Sequence, residues 1–137
     1  MQNRLESLLE DISRVPSLQR LLELISKQEN LEVLRCVGSL RSLTVARLFL
    51  TFRRPIIWVF DTQESALLAR DDLEHLLPAE AYVFFPLPRV SKWGHEDLSV
   101  ITQQADALER LTTGEPLVML MAHAAIWTKI RSPKDLK

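Results

Sequence analysis

Hydrophobic positions along the chain switch repeatedly between short continuous runs and helical spacing. The continuous runs predict β-strands, because a strand that is buried on both faces is apolar throughout. They cover residues 31–37, 55–60, 81–85 and 116–121. The segments with helical spacing follow each run in turn, at residues 40–52, 63–77, 97–112 and 123–130. Strands that alternate with helices predict an α/β fold, in which helices flank both faces of a mostly parallel sheet.

Two amphipathic helices are predicted before this alternation. Pro16 ends the first helix, and Ser17 is the expected N-cap of the second. We expect the pair to form a hairpin packed on the sheet, the alternative being an extension that docks on a partner. The chain thus divides into a helical segment over residues 1–28 and an α/β domain over residues 29–137. Because little strand or helix pattern follows the last apolar run, we expect that domain to be incomplete.

The first predicted strand leads through a glycine into a helix, which is how α/β nucleotide-binding domains begin. A working phosphate loop would read G-x-x-x-x-G-K-[ST]. Here Gly38 is the only glycine of the turn, and no lysine follows the residues Ser39, Arg41 and Ser42. The turn is therefore a degenerate phosphate loop, and we expect neither a bound nucleotide nor another cofactor. A cryptic nucleotide site around Gly38, in an enzyme, is the alternative.

Composition narrows the functional classes. The net charge of −1 gives no general case for nucleic acid, although a local basic patch remains compatible with it. Cys36 is the only cysteine, so no internal disulfide forms and a reducing cytoplasm is expected. We expect Cys36 to be buried within its apolar run. No apolar run approaches the ~20 residues of a membrane span, and the N-terminus does not resemble a signal peptide.

Residue types that carry catalysis or metal binding do not cluster. The three histidines are far apart, and none has a histidine or cysteine three or four positions away, so no metal site is expected. No nucleophile elbow of the G-x-S-x-G type occurs. Either Asp61 or Thr62 is expected to cap the helix that follows the second strand, which explains Asp61. The pair Asp71–Asp72 is explained as a solvated helix face. The chain itself is therefore not expected to be an enzyme.

The best candidate for an interaction site is the irregular stretch over residues 86–97. Arg89, Lys92 and Trp93 place positive charge and an aromatic ring on one loop, which suits a partner or a single-stranded nucleic acid. Arg53 and Arg54 form a second, weaker basic site. The structural alternative is that Trp93 folds back and covers the edge of the sheet.

Four motifs in a fixed order resemble the N-terminal region of bacterial transcription-repair coupling factor. They are VLRCVGS at residues 33–39 with its helix, RRPIIWVFDTQESALLARDDLEHLL, YVFFPLPRVSKWGHED, and DALERLTTGEPLVMLMAHAAI. Within the second, Asp61 to Ala66 matches a D-x-x-x-x-A helix start. In the last helix Gln104 stands where the family usually has arginine. The resemblance spans residues 28–133.

That region of the coupling factor is similar to the helicase-like B subunit of nucleotide excision repair. The resemblance implies a three-layer RecA-like domain that has lost ATP binding and serves as scaffold and regulator. Its parent would be an ATP-dependent DNA translocase that displaces stalled RNA polymerase and recruits the excision-repair A subunit. The tyrosine-rich hairpin with which the B subunit grips damaged DNA has no counterpart here, since Tyr82 is the only tyrosine. A nucleic-acid-binding module using the 86–97 loop is the alternative function.

Overall fold

The computed structural model describes residues 2–28 and 30–129 of the chain. Within them the chain forms five α-helices and three β-strands. The helices are α1 (Gln2–Ser13), α2 (Pro16–Ser26), α3 (Ser39–Phe52), α4 (Gln63–Leu76) and α5 (Leu98–Thr112). The strands are β1 (Ile56–Phe60), β2 (Tyr82–Phe85) and β3 (Val118–Ala122), and short 3₁₀ turns cover Ala79–Ala81 and His123–Trp127.

The three strands form one open, fully parallel sheet in the order β1-β3-β2. Ile56 and Tyr82 both lie beside Val118, so the three strands begin at one edge of the sheet and end at the other. β3 is the central strand, and all five of its residues are buried. A parallel α/β fold is therefore confirmed, with a sheet of three strands among the described residues.

Helices cover the two faces of the sheet unequally. On one face Phe49 of α3 and Leu73 of α4 join Leu120 of β3 in the main core. On the other face α5 packs over the side of β2, where Ala107 and Met119 are buried. Because α5 does not extend over β1, the second face of that strand is open. Its side chains Ile57 and Val59 are 54% and 40% exposed.

The strand predicted at residues 31–37 does not form. The segment is irregular, and Val33, Leu34 and Val37 are exposed rather than buried. Arg35 lies in the left-handed region with φ of 60°, which interrupts any extended run. A strand also needs a hydrogen-bonded neighbour, and the segment has no strand partner among the described residues. Cys36 is accordingly half-exposed and not buried as predicted.

The N-terminal helices pack through α3. Leu9 of α1 is buried in the same cluster as Phe49, and α1 contacts both α2 and α3. The predicted cap of α2 is wrong, because the helix begins at Pro16 after Val15, with no side-chain capping bond. Proline suits this first helical position, since its missing N–H would have no partner there anyway. Among the helices that the structure describes, none is long and apolar enough to cross a membrane.

Candidate functional site

The parallel sheet separates the two predicted basic sites. Arg53 and Arg54 precede β1 and lie at the edge where the strands begin. The 86–97 loop follows β2 and lies at the opposite edge, where the strands end. The guanidinium of Arg53 lies over the ring of Phe49, with its carbon 5.5 Å from the ring centroid. The sheet therefore stands between Arg53–Arg54 and Arg89, Lys92 and Trp93, and no single contact surface at one edge includes both sites.

At the end of β2 the chain forms a compact turn. Val90 and Glu96 make an antiparallel bridge, and the Ser91 N–H donates to the His95 carbonyl at 2.8 Å. Inside the turn the Ser91 hydroxyl oxygen accepts from the N–H groups of Trp93 at 3.3 Å and His95 at 3.2 Å. These bonds hold Trp93 at the tip of an ordered turn.

Two glutamines fix the base of this turn. The Gln63 side-chain oxygen accepts from the Leu87 N–H at 2.8 Å, and the Gln104 amide donates to the Pro86 carbonyl at 2.9 Å. Gln104 is the residue that stands where the resembled family usually has arginine, and here it has a defined structural role. The turn is therefore connected to α4 and α5 at its base.

Asp97 joins the turn to α5. Its carboxylate caps the helix by accepting from the N–H and the hydroxyl of Ser99, at 3.0 and 2.8 Å. The hydroxyl bond, the largest effect, and the backbone bonds lower the pKa of Asp97 below its usual value. Its backbone N–H donates to the Arg89 carbonyl at 2.9 Å. The helix start and the turn therefore share one residue.

Trp93 does not fold back over the sheet, because its side chain is 86% exposed. A second exposed ring, Trp127 at 78%, follows β3 at the same edge, and it meets His123 edge-on with 6.4 Å between ring centroids. Sequence reasoning missed Trp127, since it ends an apolar stretch that reads as core. Only its exposure indicates a surface role. We name Arg89, Lys92, Trp93 and Trp127 the carboxyl-edge surface.

A cavity of about 440 Å³ lies beside this surface, and Arg89 belongs to both. Arg89 and Asp97 line one side, Val100 of α5 contributes an apolar wall, and Thr128 and Lys129 line another part. The cavity shows that the turn after β2 and the segment after β3 are neighbours. The charges around it are mixed, so it does not form a purely basic groove.

The turn at Gly38, which the sequence predicts to be a degenerate phosphate loop, has a different environment. Gly38, with φ of 58°, precedes α3 without a side-chain cap, and the Arg41 Nε donates to the Cys36 carbonyl at 2.7 Å. The hydroxyl of Ser42 donates to the Asp72 carboxylate at 2.7 Å, and Ser42 is only 2% exposed. Asp72 is therefore not the freely solvated residue that was predicted.

Two carboxylates and one guanidinium line the cleft beside this turn. The cleft measures about 410 Å³, and the charged residues Asp71, Asp72 and Arg41 line it together with Ser42 and Phe60. Phosphate sites need inward N–H groups and positive charge. Two carboxylates close to the first turn of α3 oppose a phosphate there, and no strand leads into the turn.

No group of three histidine, cysteine, aspartate or glutamate side chains within residues 2–28 and 30–129 is placed to hold a metal ion. No protein-family model, curated protein or solved structure matches the chain. What the surfaces can bind therefore follows from their own residues.

Proposed function

We propose that this chain is the non-catalytic N-terminal module of a bacterial transcription-repair coupling factor. The parent is an ATP-dependent DNA translocase that displaces stalled RNA polymerase and recruits nucleotide excision repair through its A subunit. The proposal is supported by the four ordered motifs over residues 28–133 and by the parallel strands found at three of the predicted apolar runs. The module would be a RecA-like domain whose phosphate loop no longer functions.

The bond between Ser42 and Asp72 is the observation that carries this proposal. A RecA-like domain that binds ATP presents glycines and a lysine to the phosphates at the start of its first helix. Here that helix start presents a buried hydroxyl that is bonded to a carboxylate. Phosphate in this position would meet negative charge, which favours a scaffold over a nucleotide-binding enzyme.

A scaffold requires surfaces that pack on neighbouring subdomains. Exposed apolar side chains are concentrated just before and at the start of α3, where Val33 is 52%, Leu34 74%, Val37 65% and Leu40 45% exposed. Contiguous apolar surface of this kind is typical of contact sites between proteins or domains. We assign this surface to contact with the remaining subdomains of the parent.

The test uses a bacterial coupling factor from which the equivalent N-terminal module has been removed. When the present chain is added in trans, we expect it to bind the truncated factor and to lower its rate of ATP hydrolysis. Leu34→Asp should weaken binding. Leu98→Asp, at a residue that is 77% exposed at the start of α5, should leave binding unchanged. Failure of the unaltered chain to bind the truncated factor would contradict the proposal.

A second candidate function is binding of single-stranded nucleic acid at the carboxyl-edge surface. The observation that favours it is the exposure of Trp93 at 86%, because bases stack on exposed aromatic rings beside positive charge. Fluorescence anisotropy with a labelled single-stranded oligonucleotide tests it at low and high salt. Trp93→Ala should weaken binding at both salt concentrations because it removes the stacking ring, whereas Arg53→Ala, at the other edge of the sheet, should leave binding unchanged. No binding at low salt would exclude this candidate.

A further inference from the structure

The free side of β1 carries unpaired backbone groups. The Ile56 N–H donates to the Leu117 carbonyl at 2.8 Å, so alternate residues of β1 face β3. The N–H and C=O groups of Ile57 and Val59 consequently point away from β3. In the part of the chain that the structure describes, β1 pairs with β3 alone. A strand edge of this kind is a template for an added strand.

A cleft lies on the α3 side of this edge, between Trp58 and the irregular segment, and we name it the β1 slot. It measures about 560 Å³. Its apolar lining includes Trp58 of β1, Val45 and Leu48 of α3, and Leu31, Val33 and Cys36 of the irregular segment, and the polar residues Asn30, Arg41 and Thr44 also line it. We propose that residues 31–37 of this chain dock into the β1 slot as a fourth parallel strand. This conformation would alternate with the irregular one, and only the irregular one leaves the whole apolar surface before α3 exposed for the contact proposed above. The docking itself does not require that contact.

The direction of the helical connections supports residues 31–37 as the strand that pairs with β1. α4 connects β1 to β2 across the sheet face that α3 also covers. Connections between parallel strands are almost always right-handed, so two connections over one face must run in the same direction. A strand that leads through α3 into β1 therefore belongs on the side of β1 away from β3. Residues 31–37 immediately precede α3 and have the required position in the chain.

The end of residues 31–37 already lies near the end of β1, as parallel pairing of the two segments would require. Gly38, which follows it, lines one cleft together with Phe60 at the end of β1. Leu31 and Val33 line the slot itself. Docking would pair the segment's backbone with Ile57 and Val59, and it would bring exposed apolar side chains of both strands together. Burial of that surface is the driving force.

Two local features oppose docking and favour the irregular conformation of residues 31–37. Arg35 has φ of 60°, whereas a strand needs extended backbone at that position. The Arg41 Nε bond to the Cys36 carbonyl holds the segment against the start of α3. The left-handed backbone conformation is unfavourable for every residue except glycine. It is most unfavourable for β-branched residues. Substitution of Arg35 therefore shifts the balance in a predictable direction.

The first test is amide hydrogen exchange, measured by NMR at Ile57 and Val59. Arg35→Val favours the extended form and should slow exchange at both amides by about tenfold relative to Arg35→Gly, which favours the irregular form. The Trp58 amide, on the side of β1 that faces β3, is the internal reference. Equal exchange at Ile57 and Val59 in the two variants would overturn the proposal.

The second test is disulfide trapping with Cys36. Val59→Cys should form a disulfide with Cys36 within one chain, because neighbouring strands bring such residues to bridging distance. Leu68→Cys, at an exposed residue of α4, is the matched control and should form none. Non-reducing mass spectrometry separates bonds within a chain from bonds between chains. A Val59→Cys disulfide that forms only between two chains would assign the slot to a second copy and overturn the proposal.

Discussion

Ser42 of α3 and Asp72 of α4 are joined by a hydrogen bond of 2.7 Å at the start of α3. This bond connects two helices that cover the same face of the sheet. Because Ser42 is buried, its hydroxyl has no access to water once its partner is lost. The pair therefore contributes to stability at the position where a nucleotide-binding domain would hold phosphate.

Removal of this hydroxyl should destabilise the fold. We expect Ser42→Ala to lower the free energy of unfolding by about 1.5–3 kcal/mol, the range for hydrogen bonds to charged groups. Urea denaturation measures the change. Ser39→Ala, at an exposed residue of the same helical turn, is the control and should change stability by less than about 0.5 kcal/mol. Equal effects in the two variants would show that the Ser42 bond is not stabilising.

The core between α4 and β3 should tolerate truncation poorly. Leu73 is fully buried, and Leu73→Ala should cost about 2–5 kcal/mol because it removes buried methyl groups and leaves a cavity. Leu68, five residues earlier on the same helix, is 69% exposed, and Leu68→Ala should change stability little. Comparison of the two denaturation midpoints checks the assigned faces of α4. A larger effect at Leu68 would mean that these faces are reversed.

The cap of α5 should make stability depend on pH. The folded-state pKa of Asp97 is lowered, so its charged form stabilises the fold above the unfolded-state pKa. That contribution decreases below about pH 4 and is lost as pH falls through the lower folded-state pKa. Asp97→Asn retains a capping oxygen without this titration.

Thermal unfolding between pH 5 and pH 2 measures the effect. We expect the melting temperature of the unaltered chain to fall more over this range than that of Asp97→Asn. Asp106→Asn, at an exposed residue of the same helix, should keep the full pH dependence of the unaltered chain. If Asp97→Asn and the unaltered chain have parallel profiles, the capping carboxylate is not responsible.

The two exposed rings of the carboxyl-edge surface should be accessible to a soluble quencher. Trp93 and Trp127 are exposed, whereas Trp58 lies half-buried in β1. We expect Trp93→Phe to reduce the fraction of fluorescence that iodide quenches, and Trp58→Phe to raise it. A Trp93→Phe variant with an unchanged quenchable fraction would indicate that Trp93 is covered in solution.

The order of α4, β2, α5 and β3 could be predicted because each has a local signal. Thr62 and Asp97 cap the two helices with their side chains, and the apolar runs at 81–85 and 116–121 coincide with β2 and β3. The helix cap and the hydrophobic run act over a few residues, so the sequence contains them directly.

Features that depend on distant residues were not predictable. The run 31–37 has the composition of a strand, but a strand exists only with a neighbour, and Arg35 adopts a left-handed backbone instead. Asp72 reads as a solvated residue until Ser42, thirty positions earlier, is placed opposite it. Trp127 lies at the end of an apolar stretch and has no local signal of its own, and the position of the sheet edge decides that it is exposed. Each of these depends on tertiary packing rather than on local pattern.

Calorimetric titration of this chain with ATP, with and without magnesium, tests the central claim most directly. The two carboxylates near the start of α3, the Ser42–Asp72 bond and the missing lysine and glycine of the loop predict no saturable heat in either titration. Asp72→Asn removes the carboxylate that is bonded to Ser42, so repulsion between the cleft and the phosphates of ATP is reduced in this variant. Saturable ATP binding by the unaltered chain, lost when Arg41 is replaced by alanine, would contradict a degenerate scaffold and identify the Gly38 turn as a nucleotide site.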